Sequence, residues 1–287
     1  MEIISDPQDM QGLARQWQGL GLKVVLVPTM GFFHQGHISL MEYGRTIGDR
    51  LVVSLFVNPT QFGPQEDLAR YPRDLDRDAR LALEVGANCL YTPEAAAMYP
   101  AGFQSYVEVE SLTRGLCGAT RPGHFRGVAT VVLKLLHQVK PQVAVFGEKD
   151  YQQLMVVKRL VADLDLTTEI IGRPIVREPD GLAMSSRNTY LNPEERAAAL
   201  CLYRGIQAAR ELVATGEKAR DKIVAVVREI IRQTPFTRID YVTLVDPETL
   251  QEVAAVQGEA RLLLAVWVNN TRLLDNTLLT ESPLCCA

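Results

Sequence analysis

Through the first 175 or so residues, short apolar runs of strand length alternate with stretches whose apolar positions recur at helical spacing. Lys23 to Val27, Leu51 to Val57, Cys89 to Tyr91, Val143 to Phe146 and Thr168 to Ile171 read as buried strands, since unbroken apolar runs bounded by turn formers suit strands covered on both faces. The clearest helix is predicted from about Gly127 to Val139, where Val128, Val131, Val132, Leu135, Leu136 and Val139 line one face and Pro141 ends the pattern. The alternation predicts an α/β domain, a parallel sheet with crossover helices, over residues 1–175.

Past Pro174 the texture changes to the polar, turn-rich stretch REPDGLAMSSRNTY and then to helices. Asn192, Pro193, Glu194 and Glu195 have the order of an N-cap, a proline in the first turn and acids beside the helix N-terminus. Helical patterns over about Pro193 to Ala214 and Lys218 to Gln233 precede strand-like runs at Ile239 to Val245, Leu262 to Val268 and Thr271 to Leu274. Helices followed by a few strands predict a smaller α+β domain over residues 176–287.

The chain has 287 residues, 47% hydrophobic and 22% charged, with a net charge of −4, which suits a soluble globular protein of two domains, or of one domain with a substantial cap. No basic stripe suggests a nucleic-acid partner. No apolar run nears the roughly 18 residues of a membrane span, and MEIISDPQ lacks the basic and apolar regions of a secretory signal. The five cysteines are odd in number and form no CxxC pair, so a reducing cytoplasm is expected, with Cys285 and Cys286 in an unstructured tail.

Among candidate chemistries, the dipeptide Gly-Lys is absent, so there is no P-loop, and no GxGxxG follows the first long apolar run. That run instead breaks at Pro28 into PTMGFFHQGH, passing Met30 and Gly31 to reach His34 and His37. If a helix starts at or just before this i, i+3 pair, both imidazoles lie beside unsatisfied backbone donors, a place to stabilise phosphate charge. They could equally be ordinary capping or core histidines; a zinc pair lacks an obvious third ligand. In FGEKDYQQL, Gly147, Glu148, Lys149 and Asp150 follow another strand, where open α/β sheets bind ligands, although Asp150 as a helix cap and Lys149 as a solvated cation are the plain alternatives. DGLAMSSRN sets Ser185 and Ser186 before Arg187, either wrapping triphosphate oxygens or linking two domains. FVNPTQF offers the amides of Asn58 and Gln61 for a small polar substrate, and RPGHFRGVAT offers His124 and Arg126 for phosphate or for support behind the site.

Taken in this order, PTMGFFHQGH, FVNPTQF, RPGHFRGVAT, FGEKDYQQL and DGLAMSSRN resemble the pantothenate synthetase (pantoate–β-alanine ligase) family, and the similarity runs up to TRLLDN. HQGH matches the HxGH signature of the wider nucleotidyltransferase superfamily. MSSR, ending in Arg187 rather than the superfamily's lysine, is the form expected of the ligase. The resemblance implies a Rossmann-like domain and a C-terminal lid. It also implies ATP and magnesium, a pantoyl adenylate formed from (R)-pantoate, and attack on it by β-alanine. By position, Met30 to His37 would line the ATP site, with His37 assigned as proton donor or as hydrogen-bond donor to developing charge. His34, Lys149, Ser185, Ser186 and Arg187 would meet the triphosphate. Gly147, Asp150, Val176 and Met184 would meet ribose and adenine, with Glu148 among the nucleotide-binding residues, while Gln61, Gln153 and, more weakly, Asn58 would hold pantoate. The family also implies a cytoplasmic homodimer. The chief rival is a superfamily member that joins a nucleotide to a phosphorylated metabolite, for which Arg or Lys would be expected at the amide positions.

Overall fold

The computed structural model describes residues 1–64 and 66–281; the Cys285–Cys286 tail lies outside them. Contacts divide the chain into two units, Met1–Pro174 and Ile175–Ala287.

The first unit is a six-stranded, all-parallel sheet formed by β1 (Glu2–Ile4), β2 (Val24–Thr29), β3 (Arg50–Leu55), β4 (Cys89–Tyr91), β5 (Val143–Gly147) and β6 (Glu169–Arg173). Its helices are α1 (Pro7–Gly19), α2 (Gln35–Ile47), α3 (Leu75–Glu84), α4 (Ala95–Met98), α5 (Cys117–Thr120), α6 (His124–Val139) and α7 (Tyr151–Asp163). Strand order is β1-β4-β3-β2-β5-β6. Val25, Val27, Leu51, Val53, Val143 and Val145 pack with Leu40 and Met41 of α2 in one core cluster. By strand alternation, the equally buried Val24, Leu26, Val52 and Ala144 face the opposite side, where α6 packs on β2 and on α1. Both faces are covered, which is why these strands read as continuous apolar runs.

Several elements differ from expectation, among them β3, which ends at Leu55 rather than Val57, and β9, which runs on to Thr280. The strand read as ending at Pro28 continues to Thr29, with Pro28 opposite Ser54 and Thr29 opposite Leu55. The ladder to β5 has by then ended at Leu26, so on that side Pro28 is not asked for the N–H it lacks. The helix expected from Gly127 begins at His124, because the αL conformation of Gly123 starts it one turn earlier. The three-residue edge strand β1, with Ile3 exposed, was too short to show a pattern.

The second unit folds α8 (Pro193–Ala199), α9 (Cys201–Ala214) and α10 (Arg220–Arg232) against an antiparallel sheet β7-β8-β9 (Thr237–Val245, Glu259–Val268 and Thr271–Thr280). Leu202, Ile206, Ile223, Val227, Leu244, Leu262 and Leu264 share its core. The expected cap forms: Glu195 N–H donates to Asn192 Oδ1 at 2.9 Å, and Glu195 Oε2 accepts the Asn192 N–H at 3.0 Å. The single helix expected through Ala214 is instead divided at Leu200, which stays in the right-handed region with ψ shifted to −11° and carries no breaking side chain. No helix among the described residues is long and apolar enough to cross a membrane.

Candidate active site

The order of the parallel sheet reverses direction at β2, with β3 on one side and β5 on the other. The carboxyl ends of β2 and β5 therefore flank the crevice where such sheets receive ligands. The Met30–His34 stretch leaves β2 through a tight turn. Gly31 has φ +83°, and a Cβ there would sit 3.0 Å from the Leu55 side chain and 3.1 Å from Asp78 Oδ2, so a side chain is excluded by both conformation and space. Phe32 adopts φ +52°, an uncommon conformation for a bulky residue. Asp78, fully buried on α3, compensates: its carboxylate accepts the Phe32 N–H at 2.5 Å and the Phe33 N–H at 2.8 Å. Burial pushes the Asp78 pKa up, against the pull of those two donors and of Arg77. Arg77 itself donates to the Phe33 carbonyl at 2.8 Å.

His34 then caps α2. Its Nδ1 accepts the Gly36 N–H at 3.1 Å, while His37 Nδ1 accepts the His34 N–H at 3.3 Å, a capping box made of two imidazoles. The rings lie 4.1 Å apart between centroids. Because both Nδ1 atoms are acceptors, the proton of each neutral ring belongs on Nε2. Loss of surrounding water, then the neighbouring His34, then the charge of Lys149 hold the His37 pKa down to about 3, with Asp150 acting in the opposite sense. His37 is therefore neutral near pH 7 and presents an N–H donor.

Lys149 and Asp150 occupy the short 3-10 turn that follows β5, with Lys149 Nζ 3.5 Å from Asp150 Oδ2. Their charges act on His37, so Gly147 to Asp150 and the histidine pair are brought together across the β2–β5 junction. Asp150 makes no side-chain cap on α7. On that helix Gln153 is half-buried, whereas Gln152 is buried and ties down a loop by accepting the Cys117 N–H at 3.0 Å and donating to Leu112 and Gly115 carbonyls at 2.9 Å each.

After β3, Asn58 and Gln61 bracket a 3-10 turn, Pro59–Gln61. Asn58 is buried and its amide is spent internally: Nδ2 donates to Gln61 Oε1 (3.3 Å) and the Gly127 carbonyl (3.2 Å), and Oδ1 accepts from Tyr99 (2.8 Å) and Thr60 (2.9 Å) hydroxyls. With its oxygen occupied by Asn58, Gln61 turns Nε2 toward Met30 Sδ at 3.0 Å, which joins the amide turn to the histidine loop. Helix α6 approaches this turn because Gly127 has no side chain; a Cβ would lie 2.5 Å from the Thr60 carbonyl oxygen. His124 Nδ1 lies 2.8 Å from the Gln61 carbonyl oxygen, and Arg126 is exposed over the Tyr106 ring at 4.0 Å.

In the second unit, the DGLAMSSRN segment is no plain linker. Residues 176–184 form a pinned hairpin in which the Met184 N–H donates to the Val176 carbonyl and the Glu178 N–H to that of Leu182. Arg177 makes a bidentate pair with nearly fully buried Asp275 at 2.7 and 2.9 Å, and Arg196 bridges Glu178 (2.7 Å) and Asp180 (2.6 Å). Ser185 caps the 3-10 turn Ser186–Tyr190 by accepting the Arg187 N–H at 3.3 Å; Ser186 is buried, and Met184, Ser185 and Arg187 are half-buried.

Sequence reasoning missed Asp78, Tyr99, Gln152 and the Arg121–Glu66 pair beside His124. Asp78 stands in the charged run DLDRDAR, where nothing separates a buried acid from solvated ones; only its i, i+4 spacing to Ala82 on the inner face hints at burial.

The model of the pantoate-beta-alanine ligase family matches residues 2–278. A pantothenate synthetase of Syntrophobacter fumaroxidans is 55% identical over 97% of this chain and 99% of its own length, and one of Geobacter sulfurreducens is 54% identical over 98% and 99%. The crystal structure of pantothenate synthetase from Thermus thermophilus superposes with a TM-score of 0.91 at 46% identity, covering 96% of this chain and 99% of that one. That of pantoate-beta-alanine ligase from Francisella tularensis, complexed with beta-gamma ATP and beta-alanine, gives 0.81 at 32% identity, covering 97% of each.

Proposed function

The chain belongs to the pantoate–β-alanine ligase family, and on that premise we propose how its residues divide the chemistry. The reaction is the ATP-dependent condensation of (R)-pantoate with β-alanine. A pantoate carboxylate oxygen attacks the α-phosphorus and the bond to the β-phosphate oxygen breaks, releasing pyrophosphate and leaving pantoyl adenylate. The deprotonated amine of β-alanine then attacks the acyl carbon, and the C–O bond to AMP breaks to give pantothenate. Neither step needs a covalent protein intermediate, so positioning and charge stabilisation carry catalysis.

His34 and His37 donate Nε2–H groups to phosphoryl oxygens, and Lys149 supplies a full positive charge beside them. The observation that carries this assignment is the coupling of Lys149 to a tautomer-locked imidazole pair across the β2–β5 junction. A ring held neutral is suited to hydrogen-bond donation rather than acid catalysis, which favours the donor role for His37. Backbone of Met30, Gly31, Gly147, Glu148, Asp150, Val176 and Met184 receives the nucleotide, and Ser185, Ser186 and Arg187 of the second unit are assigned to the triphosphate. Gln61 and Gln153 hold pantoate, with Asn58 acting through Gln61. Among the described residues, no cluster of three or more His, Cys, Asp or Glu forms a metal cage. Magnesium, which binds readily through phosphate oxygens and retained waters, accordingly belongs to the proposal as the nucleotide's companion, neutralising charge there. A cytoplasmic homodimer completes the proposal, checked by light scattering and cell fractionation.

Pyrophosphate release from ATP is expected to require pantoate, and free AMP to accumulate only after β-alanine is added. Transfer of AMP to a phosphorylated acceptor without pantoate would instead establish the rival chemistry.

A further inference from the structure

The Gln61 carbonyl is a hub. It lies 2.8 Å from His124 Nδ1 and accepts Arg121 Nη2 at 3.2 Å, while Arg121 Nη1 lies 2.9 Å from His124 Nε2. Arg121 is itself fixed by Glu66, through Nε at 2.6 Å and Nη2 at 2.7 Å. A guanidinium has only donors, so His124 Nε2 must accept and the ring proton must reside on Nδ1, aimed at the Gln61 carbonyl. The chain of dependence runs from Glu66 to Arg121, from Arg121 to the His124 tautomer, and from that tautomer to the Gln61 main chain. On its other side the same turn rests directly on α6 at Gly127, and its side chain is oriented by Asn58. Of the influences on the affinity of His124 for a proton, burial weighs most and opposes protonation, as does Arg121, while the Gln61 carbonyl, Glu66 and Asp150 favour it; together they hold its pKa down to about 4, in keeping with a neutral ring.

We propose that His124 is a positioning residue for the pantoate subsite: held in its Nδ1–H tautomer by the Arg121–Glu66 pair, it fixes the Gln61 main chain and thereby sets where the Gln61 amide meets the substrate. This rests on the assignment of Gln61 to pantoate. His124 touches neither nucleotide nor reacting atoms on this reading, so its effect is confined to one substrate.

Steady-state kinetics of His124→Ala, His124→Asn, Gln61→Ala and the double variant His124→Ala/Gln61→Ala, varying pantoate and ATP separately, test it. His124→Ala is expected to raise the KM for pantoate about fivefold to tenfold, the range of one net hydrogen bond, with the KM for ATP changed less than about twofold. His124→Asn, which returns an N–H near the Nδ1 position, restores most of the loss, and His124→Ala adds little once Gln61 is already alanine. Glu66→Gln, which unfastens Arg121 without touching the core, is expected to raise the pantoate KM in the same direction. The inference is overturned if His124→Ala raises both KM values equally, if the asparagine variant restores nothing, or if the two alanine effects multiply. Should Gln61→Ala itself leave the pantoate KM unchanged, the underlying assignment of Gln61 fails instead.

Discussion

The two units hold their candidate ligand-binding segments in opposite ways. In the first, the segment from Met30 to His37 is fastened through its main chain: Asp78 takes the Phe32 and Phe33 N–H groups, and the imidazoles take those of His34 and Gly36. The Nε2 edges of both rings are the ones proposed to meet phosphate. In the second, the segment from Val176 to Asn188 is fastened through charges, Arg177 to Asp275 and Arg196 to Glu178 and Asp180. The first device joins stability and chemistry in the same rings, whose Nδ1 atoms hold the loop while their Nε2 atoms are assigned to the ligand. The second keeps them apart, because Arg177 and Arg196 hold the segment while Ser185, Ser186 and Arg187 are the residues proposed to meet triphosphate; there a buried ion pair becomes a cost once either partner is lost.

The largest expected effect lies on the charged side of this comparison. Asp275→Ala strands Arg177 in a site where the carboxylate is almost wholly buried, and the expected loss of unfolding free energy is about 3–5 kcal/mol by urea denaturation. A loss near zero would erase the contrast. Next, His37→Ala should lower kcat about 10²- to 10³-fold, as for removal of one preorganised donor, while unfolding free energy changes by about 1 kcal/mol or less. Comparable damage to folding and turnover would make His37 a structural cap and nothing more. Smaller still, Asp78→Asn turns an amide N–H toward one of two backbone donors. It should cost about 1–3 kcal/mol of stability and raise the KM for ATP, because the histidine loop loses its anchor. The effect that is smallest per pH unit is a pH dependence. His124 has a folded pKa of about 4 against an ordinary value of 6.5, so the unfolded chain binds the extra proton between those values. Stability therefore falls as pH drops through that window, by at most about 1.4 kcal/mol per pH unit from this residue, and His124→Asn removes that slope. An unchanged slope in the variant would show that His124 is charged in the folded protein.

The strands of the first unit were legible because Val24 to Val27, Leu51 to Val53 and Val143 to Val145 are buried on both faces, and unbroken burial leaves unbroken apolar runs. Candidate ligand groups were legible for a related reason, since a parallel sheet delivers them just past strand ends, as at His34, His37 and Lys149. What holds those groups was not legible. Asp78 lies more than forty residues from the amides it clamps, and Glu66 and Arg121 are fifty-five apart in the chain, so neither pairing leaves a local pattern. Asn58 was read as a substrate amide because its type and neighbourhood suit that task; that its amide group is hydrogen-bonded inside the protein emerges only when Gly127, accepting from Nδ2, and Tyr99, donating to Oδ1, arrive from distant segments. The break at Leu200 is similar, a small change of ψ without a glycine or proline to announce it.

The proposed chemistry turns on His37 working as a neutral imidazole whose Nε2–H faces the reacting phosphate. Nitrogen-15 NMR of the histidine-labelled protein, titrated downward from pH 8, reads tautomer and charge together. His37 is expected to show a protonated Nε2 and a bare Nδ1 throughout, with no protonation step until the pH falls well below 5 toward its value of about 3. A midpoint near 6.5, or a ring carrying its proton on Nδ1, would contradict that role.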